Sequence, residues 1–454
     1  MPPKAIAALV MVCGYSLFGR TFAYVGIPPA KIFVGELALF VFLLFCSRSV
    51  VYPWLNGLVN QTPLSALYWA YLMFLSYGIF ELARGLTLGY APITAAQTFI
   101  FNIYPLYFFW GLAAALRAPL LLWTVIRYVT WGSCIYAVLY FLVLKSITAT
   151  IPGSDIPIVS VPGGMGLALL ALPCFVNDLR PWWLPLSASV FFVLAGQIRA
   201  EWTAMFVAVM LQCILLKKVE RLVLGSTLIL ALLLIGFWTD VSIPSPSGRG
   251  GAVSTRELAG RAVASFDKDA AREISSKNAD FYAGTISWRQ KWWAAIWADV
   301  HSSGDIALFG RGYGFSLRDL VSYLRHNEVR TPHNMFFFAL GYTGWIGVVF
   351  FFVFQGALGL TMWRVWARTG QAFGIVFWVS TMVGSLFGSF FETPFGAIPF
   401  YLVVGMITAE LVRPTERAES AYCKSSPAGQ VACSLLPIDT TRALALLPAR
   451  TTQS

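Results

Sequence analysis

Charged residues are scarce in this sequence. Asp, Glu, Lys and Arg make up 12% of its 454 residues, about half of the roughly 25% that is usual in soluble domains. Hydrophobic residues make up 58%, and the mean hydropathy is +0.70. This balance argues against an ordinary water-soluble protein and predicts a protein of the lipid bilayer.

Cysteine and histidine are also rare, with seven and three residues respectively. Five cysteines fall in apolar stretches and two near the C-terminus: Cys13, Cys46, Cys134, Cys174, Cys213, Cys423 and Cys433. None falls in the one long hydrophilic segment, so no disulfide framework is predicted there. No CxxC motif or Cys/His spacing indicates a metal site, and we expect no metal and no cofactor.

Apolar runs long enough to cross a hydrocarbon core of about 30 Å recur along nearly the whole chain. The first one lacks a small-residue cleavage site, so we expect a retained helix and not a removable signal peptide. The sequence predicts an all-α membrane protein of about twelve spans. They lie near residues 5–19, 32–47, 63–80, 92–116, 120–143, 162–177, 182–197, 202–216, 221–238, 334–360, 371–390 and 394–412.

The positions of Lys and Arg in the short loops predict the orientation, because positively charged loops tend to remain cytoplasmic. They place both termini inside, and we interpret the net charge of +11 as this topology signal and not as nucleic-acid binding. Four regions follow. Residues 1–238 hold nine spans, 239–333 form a large, partly helical outer loop, 334–412 hold three spans, and 413–454 form a tail that we expect to be disordered.

The outer loop contains all three histidines. Its first part, residues 243–262, is rich in Pro, Gly and Ser and is expected to be mobile. Residues 284–300, "GTISWRQKWWAAIWADV", predict a helix with Ser287 as its N-cap. That helix is either an interfacial helix anchored by its tryptophans or a helix packed on its own loop, and the sequence leaves both open. The run "LFGRGYGF" at 308–315 predicts a tight turn.

Cationic side chains near the outer ends of spans are costly and therefore candidates for function. Arg199 lies in a very short outer loop, Arg289 and Lys291 lie on the tryptophan-rich helix, and His333 with Asn334 opens the tenth span. Arginine binds phosphate oxygens through a fixed fork of donors, and histidine, with an ordinary pKa of about 6.5, accepts a proton near neutral pH. Together they suit displacement of a phosphate leaving group by a hydroxyl.

The stretch "HNMFFFALGYTGWIG" carries His333, Asn334, Gly344 and Gly347 at a spacing that resembles the signature of the O-antigen ligase and polymerase superfamily. These are integral-membrane glycosyltransferases that use polyprenyl-diphosphate-linked glycans. The resemblance extends to the number of spans and to the large loop before the histidine. It also covers the arginines in "GQIRAEW" and "SWRQKWWAAI" and the turn "LFGRGYGF". It is strongest from about 185 to 350.

The resemblance implies a metal-independent enzyme of the bacterial inner membrane with its active site facing the periplasm. Its donor is a polyprenyl-diphosphate glycan, and its acceptor is a glycan or a lipid A-core hydroxyl. His333 is then the catalytic base, Arg199 and Arg289 bind the diphosphate, and the anomeric carbon is inverted. Residues in supporting roles are Asn334, which orients the histidine, Arg311 and Lys291, which add charge, and Glu392, which pairs with an arginine or binds the acceptor.

Alternatives remain open at this level. Val348 and Val349 replace the two threonines that follow the motif in the familiar ligase form, so a polysaccharide polymerase is the nearest alternative. A protein-directed oligosaccharyltransferase uses the same donor chemistry. A lipid-linked glycan flippase or other transporter would need charges in the middle of several spans, where Arg127 is the main example here.

The topology is testable with reporter fusions. A reporter fused near residue 280 is expected to report a non-cytoplasmic location, and one fused after Lys218 a cytoplasmic location, because nine and eight predicted spans precede them. Alkaline phosphatase and green fluorescent protein activities measure the two positions. A cytoplasmic signal near residue 280 would overturn the arrangement.

Overall fold

The computed structural model describes most of the predicted helical regions. The residues described are 1–27, 32–59, 62–144, 147, 150, 198–240, 242–244, 252–264, 267–274, 279–322 and 331–413. Its helices are α1 Pro3–Ala23, α2 Val34–Val59, α3 Ser65–Thr87, α4 Pro92–Ile103, α5 Leu106–Arg117, α6 Leu121–Leu142, α7 Arg199–Leu215, α8 Val219–Thr239, α9 Thr255–Val263, α10 Lys268–Ile274, α11 Ala279–Val300, α12 Gly304–Phe309, α13 Met335–Thr369, α14 Phe373–Ser385 and α15 Pro394–Val412. A 3₁₀ turn covers Leu317–Leu320. The described strands form two short antiparallel pairs, β1 Gly26–Ile27 with β2 Ile32–Phe33 and β3 Ser242–Pro244 with β4 Ala252–Ser254.

Four described helices, α1, α3, α13 and α15, are long and apolar enough to cross a membrane. Helices α4 and α5 form a bent pair, and if this pair is one span the number of candidate spans rises to five. The helix axis turns by 42° at Pro105, which lacks an amide hydrogen. Ten of the twelve predicted spans coincide with helices, while those near 162–177 and 182–197 lie outside the described residues, as does the tail from 414. Large apolar side chains such as Phe45 and Trp238 point outward, which agrees with a lipid environment. Twelve spans remain a prediction.

Contacts between helix ends show which ends of the long helices lie together. At one end, the Trp110 indole donates to the Lys4 carbonyl, and Arg364 donates to the Pro63 carbonyl. At the other end, Arg20 lies over the Phe395 ring, 5.9 Å from its centroid. Loop helix α11 packs on α13 near this second end, which we call the outer end in keeping with the predicted topology.

Aromatic rings fill the centre of the bundle between α3 and α13. Phe74 stacks on Phe354 at 5.6 Å, and Tyr71 lies 5.4 Å from the same ring. Phe101 of α4 closes the cluster against Phe351 at 5.2 Å. Helix α14 in turn packs against both α13 and α7.

Two expectations about the outer loop need correction. Helix α11 begins at Ala279, so Ser287 lies inside the helix and is not its N-cap. Within residues 243–262, expected from their composition to be mobile, 252–254 form β4 and 255–262 belong to α9. The Ser254 hydroxyl accepts a hydrogen bond from the Glu257 amide in the Ser-x-x-Glu pattern of a capping box. Trp292 is fully buried and donates to the Leu317 carbonyl at 2.9 Å, so at this tryptophan α11 is packed on its own loop.

The motif glycines hold the outer loop against α13. Gly344 breaks the helix with φ +62°, and a Cβ there would lie 2.4 Å from the Leu308 carbonyl carbon. Gly310 has φ +66°, and a Cβ added at this position would lie 2.6 Å from the Gly344 nitrogen. Only residues without a side chain permit two backbones to approach this closely in this conformation. Gly347 is also closely packed, since a Cβ there would overlap the Thr343 side chain and would lie 3.0 Å from the Tyr77 ring.

Hydrogen bonds complete this junction. The Arg311 and Gly312 amides donate to the carbonyls of Gly341 and Tyr342, both at 2.9 Å, so the helix break supplies acceptors to the glycine-rich turn. From α3, Arg84 donates to the carbonyls of Phe309 at 2.9 Å and Gly310 at 2.6 Å and pairs with buried Glu81. The turn is therefore fixed to two helices of the bundle.

The junction yields a stability prediction. Gly344→Ala is expected to destabilise the protein by more than about 2 kcal/mol. Alanine is strained in a left-handed backbone conformation, and its Cβ would clash with the Leu308 carbonyl group. Gly356→Ala on the same helix is the matched control, since its Cβ meets nothing within 4 Å. It should change stability by less than about 1 kcal/mol. Thermal unfolding of both variants in one detergent measures the difference, and equal melting temperatures would contradict the account.

Candidate functional site

The turn between α14 and α15, residues 386–393, is the centre of the candidate site. Ser389 in this turn contacts His333 through its hydroxyl oxygen and the ring Nδ1. The same hydroxyl lies 3.1 Å from the Thr331 hydroxyl. The contact ties the imidazole ring to this turn through Nδ1.

The backbone around His333 is unusual. His333 has φ +53°, a left-handed conformation that is rare outside glycine, although His and Asn adopt it more readily than most residues. Asn334 is the N-cap of α13. Its side-chain oxygen accepts hydrogen bonds from the backbone amides of Phe336 at 2.9 Å and Phe337 at 3.2 Å. Its side-chain amide donates to the Leu386 carbonyl at 2.7 Å. Asn334 thus links the backbone next to His333 to the end of α14.

Arg289 lies against the same turn as His333. Its guanidinium donates to the Phe387 carbonyl at 3.2 Å, two residues before Ser389. Trp288 packs edge-on against the His333 ring at 5.8 Å, and the Arg289 guanidinium lies 5.3 Å from the Trp288 ring centroid. Helix α11 therefore places the predicted cation and one tryptophan next to the predicted base.

Arg199 joins this group through electrostatics. It is the first residue of α7, ahead of the predicted span, and its guanidinium donates to the Arg261 carbonyl at 3.2 Å. Burial, together with the positive charges of Arg261 and Arg289, lowers the pKa of Arg199 to about 10. Even so, Arg199 stays protonated at neutral pH. Three guanidinium groups within electrostatic reach of a helix N-terminus favour an anionic ligand.

Glu392 places a carboxyl group in the same turn. Both of its oxygens are buried, and no described donor lies within hydrogen-bond geometry of either one. Burial raises the pKa of Glu392 to about 8, even though the nearby Thr331 and Asn334 act in the opposite direction.

Two predicted supporting residues lie away from this group. Arg311 forms a two-point ion pair with Asp299, one contact being Nε to Oδ2 at 2.9 Å, which ties the glycine-rich turn to the end of α11. Lys291 is exposed and follows Arg289 by two residues, which is about 200° around the helix. Of the other loop histidines, His301 is exposed beside Trp297, and position 326 lies outside the described residues.

Sequence reasoning missed Ser389, Thr331 and Arg261. The first two are short polar residues whose relevance depends on contacts across 56 and 58 positions of the chain. Arg261 had a usable signal, because the capping pattern from Ser254 predicts a helix that would place this arginine in its last turn. Arg261 is also nine-tenths buried, which is rare for arginine outside a structural or binding role.

The different environments of Arg311 and Lys291 give a prediction. Arg311→Ala should lower stability by about 1 kcal/mol, because it leaves the partly buried Asp299 without its partner. Lys291→Ala should leave stability unchanged. Thermal unfolding compares the two variants, and a larger loss for Lys291→Ala would show that the assignment of roles is wrong.

The chain matches no protein-family model, and a search of curated proteins finds no significant match. Its function is therefore argued from the group formed by His333, Arg199, Arg261, Arg289 and the turn 386–393.

Proposed function

We propose that this protein is an integral-membrane glycosyltransferase of the O-antigen ligase type. It transfers a glycan from a polyprenyl-diphosphate donor to an acceptor hydroxyl. One observation carries the proposal: His333 and Arg289 both contact the turn 386–393, so a base and a phosphate-binding cation lie side by side at one end of a membrane helix bundle. Chemistry at that position suits a substrate whose lipid lies between helices and whose charged head lies at the surface.

The arginines bind the donor diphosphate in this proposal. Arg199 and Arg289 take the roles predicted from the sequence, and Arg261 adds a third guanidinium that is electrostatically coupled to Arg199. A diphosphate relieves the mutual repulsion of these groups, and the relief is greatest as negative charge builds on the leaving oxygen. The arginines themselves thus neutralise the leaving group, with no metal in the scheme.

His333 activates the acceptor. The acceptor hydroxyl attacks the sugar C1 on the face opposite the diphosphate, its proton passes to Nε2, and the bond from C1 to the phosphate oxygen breaks with its electron pair on the diphosphate. A single displacement of this kind inverts the anomeric carbon. Positioned general bases contribute about 10² to 10⁴ in rate, which sets the size of the effect expected from removing the ring.

The same site serves a ligase or a polymerase. Donor binding and base catalysis use the residues above in both cases, while the acceptor is a lipid A-core sugar in a ligase and a second lipid-linked repeat in a polymerase. We propose the ligase and keep the polymerase as the alternative, because Val348 and Val349 depart from the ligase motif. In either case the protein would lie in the bacterial inner membrane with its site facing the periplasm.

The proposal is tested by transfer assays on purified protein in nanodiscs, with a polyprenyl-diphosphate glycan and candidate acceptors. His333→Asn, which tolerates the left-handed backbone, should lose transfer by about a hundredfold or more while donor affinity stays within about twofold. Arg199→Ala and Arg289→Ala should weaken donor binding about tenfold or more, as expected for charge-assisted hydrogen bonds.

Arg272→Ala is the matched control, because Arg272 is an exposed loop arginine paired with Asp269. It should behave as wild type in both donor binding and transfer. Wild-type transfer by His333→Asn together with Arg199→Ala would overturn the proposal. Donor movement across the bilayer without any transfer would favour a transporter instead.

A further inference from the structure

Helix α6 carries one arginine on a face that is otherwise apolar. Arg127 is exposed, and so are Trp131, Ile135 and Val138, which follow it along the helix. Their spacing of three and four residues places them in one stripe on the helix surface. In a bilayer, an exposed apolar stripe of this kind faces the lipid chains, so Arg127 stands at one end of a lipid-facing surface.

Contacts at the helix ends show where Arg127 lies along the bundle. The Trp110 indole of α5 donates to the Lys4 carbonyl at 3.1 Å, which places the end of α5 and the start of α6 at the inner end, opposite the candidate site. Arg127 is the seventh residue of α6, about 9 Å along a helix that is about 33 Å long. The apolar Leu120, which is exposed, precedes this helix. Arg127 therefore lies inside the predicted span 120–143 and not at its end.

Arg127 has no partner among the described residues. No hydrogen bond, ion pair or ring contact joins its guanidinium to another described side chain or backbone group. A charge within a membrane helix usually faces the bundle interior and pairs with another group, because an unpaired charge in hydrocarbon is costly. Arg127 faces outward instead, so its partner is expected to be an anion that lies outside the described bundle.

A second copy of the chain is a poor source of this anion. Among the described carboxylates of the long helices, Glu36, Glu81, Glu201 and Glu410 are buried or half-buried. Glu220 is exposed, but it lies in the first turn of α8, at a helix end. None of these groups offers an exposed carboxylate at the depth of Arg127.

A lipid phosphate meets the requirements of this position. A long arginine side chain extends along its helix toward the headgroup layer while its aliphatic part stays among the lipid chains. The planar guanidinium then donates two parallel hydrogen bonds to phosphate oxygens. Tyr128 and Trp131 are exposed beside Arg127, and such amphipathic rings favour the depth at which headgroups meet acyl chains.

We propose that Arg127 forms a binding site for the phosphate of an anionic phospholipid in the inner leaflet, with Tyr128 and Trp131 against the upper part of the acyl chains. The unpaired positive charge favours a lipid with a net negative charge over a zwitterionic lipid. This site lies at the other end of the bundle from His333. It goes beyond the proposed function and does not depend on it.

Photolabelling tests the site directly. The purified protein is placed in phosphatidylcholine nanodiscs with a small mole fraction of a probe lipid that carries a diazirine on its acyl chain and either a phosphatidylglycerol or a phosphatidylcholine headgroup. Residues 123–135 should be labelled about fivefold more by the phosphatidylglycerol probe, the preference that one arginine near an anionic surface supplies. In Arg127→Leu the two probes should label equally, while Arg127→Lys, which keeps the charge, should retain part of the preference.

Thermal unfolding in nanodiscs separates lipid binding from a purely structural role. In phosphatidylcholine alone, Arg127→Leu should melt at or above the temperature of wild type, because it removes an unpaired charge from the bilayer. Added phosphatidylglycerol should raise the melting temperature of wild type and not that of Arg127→Leu. Arg272→Leu is the matched control, since it removes an exposed loop arginine and should respond to phosphatidylglycerol as wild type does.

Two labelling results would overturn the inference. Equal labelling of wild type by the two probes would mean that bulk lipid alone covers this face. A phosphatidylglycerol preference that survives in Arg127→Leu would place the site elsewhere. A dimer that native mass spectrometry finds in wild type and not in Arg127→Leu, without any lipid preference, would assign Arg127 to an interface between copies and contradict the lipid site.

Discussion

Two glycines in backbone contact hold the outer loop onto the membrane helices, and the candidate site depends on that contact. Gly310 and Gly344 both have positive φ and approach within a distance that no Cβ permits. The break at Gly344 frees carbonyl groups that accept hydrogen bonds from backbone amides of the glycine-rich turn. Arg84 of α3 donates a hydrogen bond to a carbonyl of the same turn. Because helix α11 is tied to this turn by the Arg311 ion pair, the junction also determines where Arg289 lies.

The site gathers positive charge where it is costly. Arg199 is partly desolvated at the N-terminus of a helix and lies within reach of two further arginines. Each of these features disfavours the cation by itself, and together they are relieved by a multiply charged anion. The turn 386–393 contacts both His333 and Arg289 and contains the buried Glu392 carboxyl group. The groups proposed for anion binding and for proton transfer therefore lie next to each other at the outer end of the bundle.

Apolar run length was enough to predict most of the helices, because spanning a bilayer imposes length and composition together. It did not predict the bend at Pro105 or the break at Gly344, which depend on single backbone positions. The helix that starts after Ser254 was missed, although its capping pattern was present. Ser389 entered the site only through the fold, since nothing local distinguishes it from other serines. The sequence alone predicts His333, Arg199 and Arg289 as site residues, because ionisable side chains are unusual at span ends.

The central claim is that His333 and the arginines form one site for a lipid diphosphate. It is tested most directly by a cryo-electron microscopy map of the protein in nanodiscs with a bound polyprenyl diphosphate. The account predicts phosphate density between Arg199 and Arg289, with the proximal phosphate on the Nε2 side of His333. Density for the diphosphate elsewhere on the protein, with these side chains unaffected, would contradict it.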